Sequence, residues 1–228
     1  MHITIWGTRG SVSVSSPATT RYGGNTTCIE VRTAAGDCII LDAGTGIRNL
    51  GEKIRQENIS ACHVCFTHAH WDHIQGLPFF APLYDDGCRL TLHGPSNMGQ
   101  DGVKASLDQV FNGRNFPLHL EQASKHLSFH DFTPGDSFTI GSAKIETCPT
   151  NHPGGCVAYR ITADGTSFMF TGDHEFAAGP VEEQDRTPLF KMMRNVHLML
   201  VDGQYTSAEY AFFNGWGHSC QTDWLEPA

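Results

Sequence analysis

Basic residues are scarce in this sequence, and no cluster of them is visible. The 228 residues include 15 Lys and Arg against 24 Asp and Glu, which gives a net charge of −9 at pH 7. Non-specific binding to nucleic acid gains much of its free energy from Lys and Arg side chains that neutralise phosphates. A long RNA or DNA is therefore disfavoured as a substrate or partner.

Long apolar runs and a standard secretion signal are missing as well. No stretch approaches the roughly 18 apolar residues that cross a membrane. Residues 1–6 read as a strand rather than as a basic segment followed by an apolar one. We therefore expect a cytoplasmic protein that does not enter a membrane. With 39% hydrophobic and 17% charged residues, the chain is expected to fold as one globular domain, 1–228.

The eight cysteines do not show the spacing of a metal-binding framework. Without a secretion signal, reduced thiols are expected. Cys62 and Cys65 form a single C-x-x-C with no second pair at zinc-ribbon spacing. Both lie in a segment with strand character, where positions i and i+3 face opposite ways. We therefore interpret them as packing residues.

Short β-rich runs alternate with turns and helical patterns along the whole chain. Helical spacing of apolar residues predicts helices at 46–57, 101–111 and 186–195, and residues 74–84 predict a short broken helix. The predicted strands are 2–6, 27–33, 38–42, 61–67, 89–93, 126–132, 137–140, 143–149, 155–162, 166–171 and 196–202. This pattern by itself favours an α/β or α+β fold.

The segment Thr67–His73 carries the strongest chemical signal, because it places three imidazoles and a carboxylate within six positions. In extended backbone, His68 and His70 share one face and can point at one metal ion. Asp72 and His73 follow where the strand ends, so they can face a second ion. Imidazole and carboxylate together suit a pair of divalent cations.

This H-x-H-x-D-H motif resembles the signature of the metallo-β-lactamase superfamily of metallohydrolases. The resemblance implies an αββα four-layer sandwich and adds His152 and Asp173, which both follow predicted strands. The implied arrangement has one metal on three histidines, a second on the aspartate and histidine that end the motif, and one bridging aspartate. These ligands are His68, His70 and His152 for the first metal, Asp72 and His73 for the second, and Asp173 for both. Zinc is expected, and manganese and iron remain alternatives.

Four further motifs resemble the branch that contains ribonuclease Z and the phosphonate-pathway cyclic phosphodiesterase. They are Trp6–Ser11, Arg21–Thr27, Asp42–Gly46 and Gly215–Ser219. In this branch, the histidine at the position of His218 assists the leaving group. The expected catalytic side chains are Asp72 and His218. The long arm with which ribonuclease Z grips tRNA is not evident between 95 and 150. A small phosphodiester or cyclic nucleotide is therefore expected as substrate.

Residues 220–228 depart from the pattern of the family. Relatives continue after the Gly-His-Ser motif with a helix, a strand and a further histidine of the second metal site, and no histidine follows here. The second site is therefore expected to be weaker, or to be completed by His174, His218 or a neighbouring subunit. Loss of a last strand exposes a sheet edge, which predicts a homodimer.

Three functions remain open from the residues alone. The favoured one is a metal-dependent phosphodiesterase. The same metal site would serve a lactonase or thioesterase, because metal-bound hydroxide attacks carbonyl carbon as readily as phosphorus. A metal-binding relative with little or no catalytic activity is the third.

Overall fold

A computed structural model describes residues 1–98, 102–176 and 187–225. The chain folds into two compact units, 1–132 and 133–228. Each unit contains one β-sheet and its own helices.

The first unit is built on a six-stranded sheet whose strands follow one another in chain order. The first three strands pair antiparallel, and the third to sixth strands pair parallel. The strands are β1 His2–Gly7, β2 Cys28–Arg32, β3 Cys38–Leu41, β4 Ala61–Cys65, β5 Arg89–Pro95 and β6 Leu127–Phe132. The parallel strands align their carboxyl ends at one edge, where sheet-based sites gather side chains.

Three α-helices accompany this sheet. They are α1 Ile47–Gln56, α2 Trp71–Ile74 and α3 Gly102–Asp108, with short 3-10 helices at Leu77–Phe79 and Ala81–Tyr84. The apolar stripe of α1 is buried in a core with the alternate side chains of the sheet that face it. Burial of this stripe explains why a ten-residue segment with a mixed charged face folds as a helix.

The second unit has a five-stranded sheet in the order β11-β10-β9-β8-β7. Its strands are β7 Ser137–Ile140, β8 Ala143–Thr150, β9 Cys156–Ala163, β10 Thr166–Phe170 and β11 Leu198–Leu200. Pairing is antiparallel from β7 to β10, and β11 lies parallel to β10. The helices are α4 Pro188–Met193 and α5 Ser207–Phe213, and a 3-10 helix spans Gln221–Trp224.

The α/β class and all eleven predicted strands are confirmed. The segment predicted as a broken helix at 74–84 begins with the last residue of α2 and contains two separate 3-10 helices, because its prolines interrupt helical hydrogen bonding. The predicted helices 101–111 and 186–195 begin at positions that lie outside the described residues. Within those residues they are present as α3 and α4, which are shorter.

Helix α5 was not predicted from the sequence. Its signal is a capping box, in which Thr206 and Glu209 exchange side-chain and backbone hydrogen bonds at the first turn. None of its residues is buried, so the apolar periodicity that reveals a core helix is weak here.

The cysteines agree with the packing interpretation, since all eight are free and buried. Among residues 1–98, 102–176 and 187–225, no helix combines the length and the apolar character that a membrane crossing requires.

A buried ionic cluster holds one end of the first sheet to α1. Glu30 of β2 is fully buried and accepts hydrogen bonds from Trp6 Nε1 at 3.0 Å, Arg32 Nε at 2.7 Å and Lys53 Nζ at 3.3 Å. Burial alone raises the pKa of Glu30, but the hydrogen bonds from Trp6 and Arg32 and the nearby positive charges lower it below the ordinary glutamate value. The charged form is therefore the one that stabilises the fold.

We expect Glu30→Gln to lower the free energy of unfolding by about 1–3 kcal/mol at pH 7, because it leaves buried donors with a weaker acceptor. A group whose pKa is lowered in the folded state stabilises the protein above its unfolded pKa, and this contribution disappears as the pH falls through the folded pKa. The difference between the two proteins should therefore shrink towards pH 3. Urea unfolding at both pH values, followed by circular dichroism, measures it.

Glu52→Gln is the matched control, since Glu52 pairs with Arg55 at the surface at 3.5 Å. This variant should stay within about 0.5 kcal/mol of the parent protein. Equal stability of the Glu30 variant and the parent at pH 7 would contradict the structural role of the buried cluster.

Candidate metal centre

Three imidazoles of the first unit meet between the end of β4 and the start of α2. The ring centroids of His68 and His70 are 4.5 Å apart, and those of His68 and His73 are 4.3 Å apart. His70 is exposed and has the extended backbone of a helix N-cap, whereas His68 and His73 are buried. The spacing of the motif thus brings its histidines together as the sequence predicts.

Asp42 supports this cluster from behind. It follows β3, is fully buried and has a positive φ of 61°. Its carboxylate accepts hydrogen bonds from Thr67 N at 2.7 Å, Thr67 Oγ1 at 2.9 Å and His73 Nδ1 at 2.8 Å. Burial raises the pKa of Asp42, and the interaction with His73 opposes this rise. The sequence indicated the Asp42–Gly46 motif but not this role.

The hydrogen bonds fix which nitrogen of each buried imidazole carries its proton. The Thr67 hydroxyl gives its proton to Asp42, so at 2.8 Å it accepts one from His68 Nδ1. His73 Nδ1 likewise donates to the Asp42 carboxylate. Both rings therefore keep a lone pair on Nε2, which is how protein histidines bind a divalent metal while the other nitrogen is held by an oxygen.

Asp72 is positioned by a loop close to the N-terminus. Its Oδ2 accepts a hydrogen bond from the backbone N–H of Ser11 at 2.8 Å and lies 3.6 Å from His73 Nε2. Ser11 has a positive φ of 67°. The first unit thus places a carboxylate oxygen beside an imidazole nitrogen, as the predicted second metal site requires.

The second unit gathers a further group of ligand-type side chains at the ends of its strands. His152 follows β8, Asp173 follows β10, and His218 lies after α5. Asp173 Oδ2 is 3.6 Å from His152 Nε2 and 4.0 Å from His218 Nδ1. Asp173, Asp202 and His218 each offer one ligand atom, and these atoms lie within 4.8 Å of one another.

A backbone carbonyl orients His152. Its Nδ1 donates to the oxygen of Gly217 at 2.7 Å, so its lone pair is on Nε2, the nitrogen near Asp173. Gly217 has a φ of 89°, and a Cβ at this position would overlap the His152 ring at Nδ1. Glycine is therefore required for this close approach.

Asp202 is the member of the cluster that sequence reasoning missed. It follows β11, and its carboxylate accepts hydrogen bonds from His218 Nδ1 at 2.9 Å, His174 N at 3.1 Å and Gln204 N at 3.0 Å. Burial raises the pKa of Asp202, and the hydrogen bond from His218 opposes the rise. The available signal was an aspartate that follows an apolar strand, as for Asp42 and Asp173.

His174 has a structural environment. It is buried, and desolvation lowers its pKa to about 4. Its Nδ1 accepts a hydrogen bond from the backbone N–H of Asn151 at 3.1 Å, and its ring contacts those of Phe176 and Trp224. These contacts hold the loop that carries His152.

Each unit therefore presents imidazole nitrogens next to carboxylate oxygens. This donor set fits zinc, manganese or iron, whereas magnesium and calcium prefer oxygen ligands alone. The first unit supplies His68, His70, Asp72 and His73, and the second supplies His152, Asp173, Asp202 and His218.

Comparison with known proteins identifies the family. The family model described as "Beta-lactamase superfamily domain" matches residues 38–227. A ribonuclease Z of Haloferax volcanii is 25% identical over 169 residues, which covers 72% of this chain and 47% of that protein. The chain spans about half the length of the curated relatives it matches.

Two solved structures share the fold. Zn²⁺-bound PqqB from Methylobacterium extorquens has a TM-score of 0.67 at 15% identity, covering 96% of this chain and 78% of that one. A diphosphatase from the PhnP family has a TM-score of 0.68 at 18% identity, covering 99% of this chain and 80% of that one. The names of these three proteins describe a nuclease, a protein with bound Zn²⁺ and a diphosphatase.

The expected fold and branch are thereby confirmed: the chain belongs to the metallo-β-lactamase superfamily and is related to its hydrolases of the ribonuclease Z and PhnP branch.

Proposed function

We propose that this protein is a metal-dependent phosphodiesterase that acts on a small phosphodiester or cyclic nucleotide. The observation that carries the proposal is the hydrogen bonding of His68, His73 and His152. Each donates from Nδ1 to an oxygen and keeps its lone pair on Nε2. Three imidazoles prepared in this way beside carboxylates suit metal binding better than a purely structural role.

Two divalent metal ions are proposed as cofactors, zinc in the first place, with manganese and iron as alternatives. The first metal ion is assigned to His68, His70 and His152. The second is assigned to Asp72 and His73, and Asp173 is assigned to both ions. The combination of ligands from the two units rests on the family resemblance, and Zn²⁺ bound to PqqB supports the choice of metal.

Bound divalent cations supply an activated water at neutral pH and neutralise the charge on the phosphate. The residues of the chain then have to move a proton to the leaving oxygen. His218 is suited to this step, because its Nδ1 donates to Asp202 and lies 4.0 Å from Asp173. While Nδ1 stays hydrogen-bonded to Asp202, a proton on Nε2 can pass to the leaving oxygen. Asp202 also fixes the orientation of the ring.

The choice of a small phosphodiester draws on charge and on the relatives. The net charge of −9 disfavours a long polyanion. The relatives include a ribonuclease Z and a diphosphatase, whose names describe reactions at phosphorus. A carboxylic ester substrate would use the same ligands, so the test below includes it.

The first test measures hydrolysis of bis(p-nitrophenyl) phosphate by metal-stripped protein refilled with zinc, manganese or iron, beside a lactone and a thioester. We expect metal-dependent turnover of the phosphodiester, and a loss of at least about 100-fold in His68→Ala and in Asp173→Ala, because each variant removes a metal ligand. Circular dichroism checks that both variants fold.

His126→Ala is the matched control, since His126 is an exposed histidine of the first unit outside the proposed site. It should keep the parent activity. Near-full activity of His68→Ala would contradict the metal assignment. Turnover of the lactone or thioester alone would identify an ester hydrolase, and bound metal without any turnover would identify an inactive relative.

A second test addresses Asp42. We expect Asp42→Asn to fold, because asparagine tolerates the positive φ of this position. Its affinity for zinc should fall about 10- to 100-fold, because the side chain that orients His73 loses its charge. Competition with a chromophoric chelator measures this affinity. Asp108→Asn, at a surface ion pair with Lys104, should leave it unchanged, and equal affinities of all three proteins would refute the role of Asp42.

The homodimer also belongs to this proposal. β11 is one of the two edge strands of the second sheet, and its Leu198 and Met199 are 52% and 37% exposed. Exposed apolar side chains on an edge strand favour pairing with another chain. Light scattering at micromolar concentration should give twice the chain mass, and a monomer mass would contradict the prediction. The single-domain organisation of 1–228 and a cytoplasmic location remain predictions beside it.

A further inference from the structure

Trp216 is an exposed aromatic residue beside the ligand cluster of the second unit. It lies two positions before His218, between Gly215 and Gly217, and 64% of its surface is exposed. Its backbone is held by hydrogen bonds at and on both sides of the indole.

A buried carboxylate fixes the backbone on both sides of the indole. The N–H groups of Gly215 and Gly217 donate to the two oxygens of Glu175 at 2.6 and 2.7 Å. Tyr210 donates to the same carboxylate at 2.9 Å, and Trp216 N donates to the carbonyl of Phe213 at 3.1 Å. A side chain on a backbone held in this way loses little further entropy when a ligand binds to it.

A short series of ring contacts connects the indole with His218. The Trp216 and Phe213 centroids are 5.4 Å apart in an edge-to-face arrangement. Phe213 stacks on Tyr205 at 5.0 Å and 10°, and Tyr205 meets His218 edge-to-face at 5.9 Å. The exposed ring is thus set at a fixed place relative to the proposed proton donor.

Charge limits what can bind against this surface. Residues 195–228 contain no Lys or Arg, and the charged groups that the described residues place beside His218 include the carboxylates of Asp173, Asp202 and Glu175. Cationic side chains of this segment therefore cannot hold a substrate. An exposed indole offers instead a flat apolar face, which binds the π-face of a base without regard to its sequence.

We propose that Trp216 is a specificity-determining residue that stacks on the nucleobase of a nucleotide phosphodiester whose phosphate is bound at the ligand cluster of Asp173 and His218. The inference rests on the proposed phosphodiesterase function and adds the substrate class. One ribose joins the base and the phosphate of a nucleotide. The base can therefore contact the Trp216 indole while the phosphate is bound at the ligand cluster.

The test compares two substrates that differ only in the base: the methyl ester of adenosine 5′-monophosphate and the same methyl ester of ribose 5-phosphate. Neither has an aromatic leaving group that could occupy Trp216. We expect Trp216→Ala to lower kcat/KM for the adenosine ester roughly 5- to 150-fold, mainly through KM, which is the range of base–aromatic stacking. The ribose ester should be unaffected, and Trp216→Phe should restore most of the loss.

Phe212→Ala is the matched control, because Phe212 is an 84% exposed aromatic residue of the adjacent helix α5. It should leave both substrates unchanged. An equal loss for both esters in Trp216→Ala would assign the residue a structural role and overturn the inference. Unchanged kinetics for the adenosine ester would overturn it too, while the phosphodiesterase function would stand.

A binding measurement separates the two proposals if the parent protein hydrolyses neither ester. Titration calorimetry then compares adenosine 5′-monophosphate with ribose 5-phosphate, with parent and Trp216→Ala protein. If Trp216→Ala weakens the binding of adenosine 5′-monophosphate but not that of ribose 5-phosphate, stacking is supported even though the catalytic proposal has failed. Equal binding of the nucleotide to both proteins overturns the inference.

Discussion

The hydrogen bonds to the Asp42 carboxylate are the interaction on which the first half of the candidate centre depends. Three donors from two different places in the chain end on this one buried group: the N–H and hydroxyl of Thr67, and Nδ1 of His73. A buried carboxylate is costly unless its oxygens are satisfied. Asp42 follows β3, whereas its donors follow β4 or lie in α2. Its oxygens are therefore satisfied only when these two segments pack next to the end of β3. The contacts that satisfy Asp42 therefore also orient His73.

The second unit uses the same principle with different acceptors. A backbone carbonyl, that of Gly217, holds His152, and a carboxylate, that of Asp202, holds His218. Both acceptors take up Nδ1 and therefore fix the orientation of the ring, which leaves Nε2 as the nitrogen that faces away from the support. In His152 this nitrogen lies 3.6 Å from the Asp173 carboxylate. The two histidines thus share one mode of support although different roles are proposed for them.

The sequence predicted the strands well and indicated the Thr67–His73 motif, because both are local signals. Alternation of apolar residues defines a strand without reference to the rest of the chain, and H-x-H-x-D-H concentrates its chemistry in six positions. Asp202 and the role of Asp42 escaped prediction because each aspartate acts on a residue far away in the sequence. Asp202 binds His218, 16 positions away, and Asp42 binds His73, 31 positions away. Their effect depends on strand register, which composition does not encode. Helix α5 escaped because an exposed helix lacks apolar periodicity, and its capping box is a short signal.

The loop 215–217 carries the residue proposed to stack on a base and also supports a histidine proposed as a metal ligand. Its first and last N–H groups are held by Glu175, and its last carbonyl holds His152. The indole of Trp216 and the carbonyl that orients His152 therefore lie on adjacent residues of the same loop. Gly217 cannot accept a side chain without displacing the His152 ring. A change in the backbone of this loop would therefore disturb the imidazole of His152, whereas the side chain of Trp216 can vary without moving it.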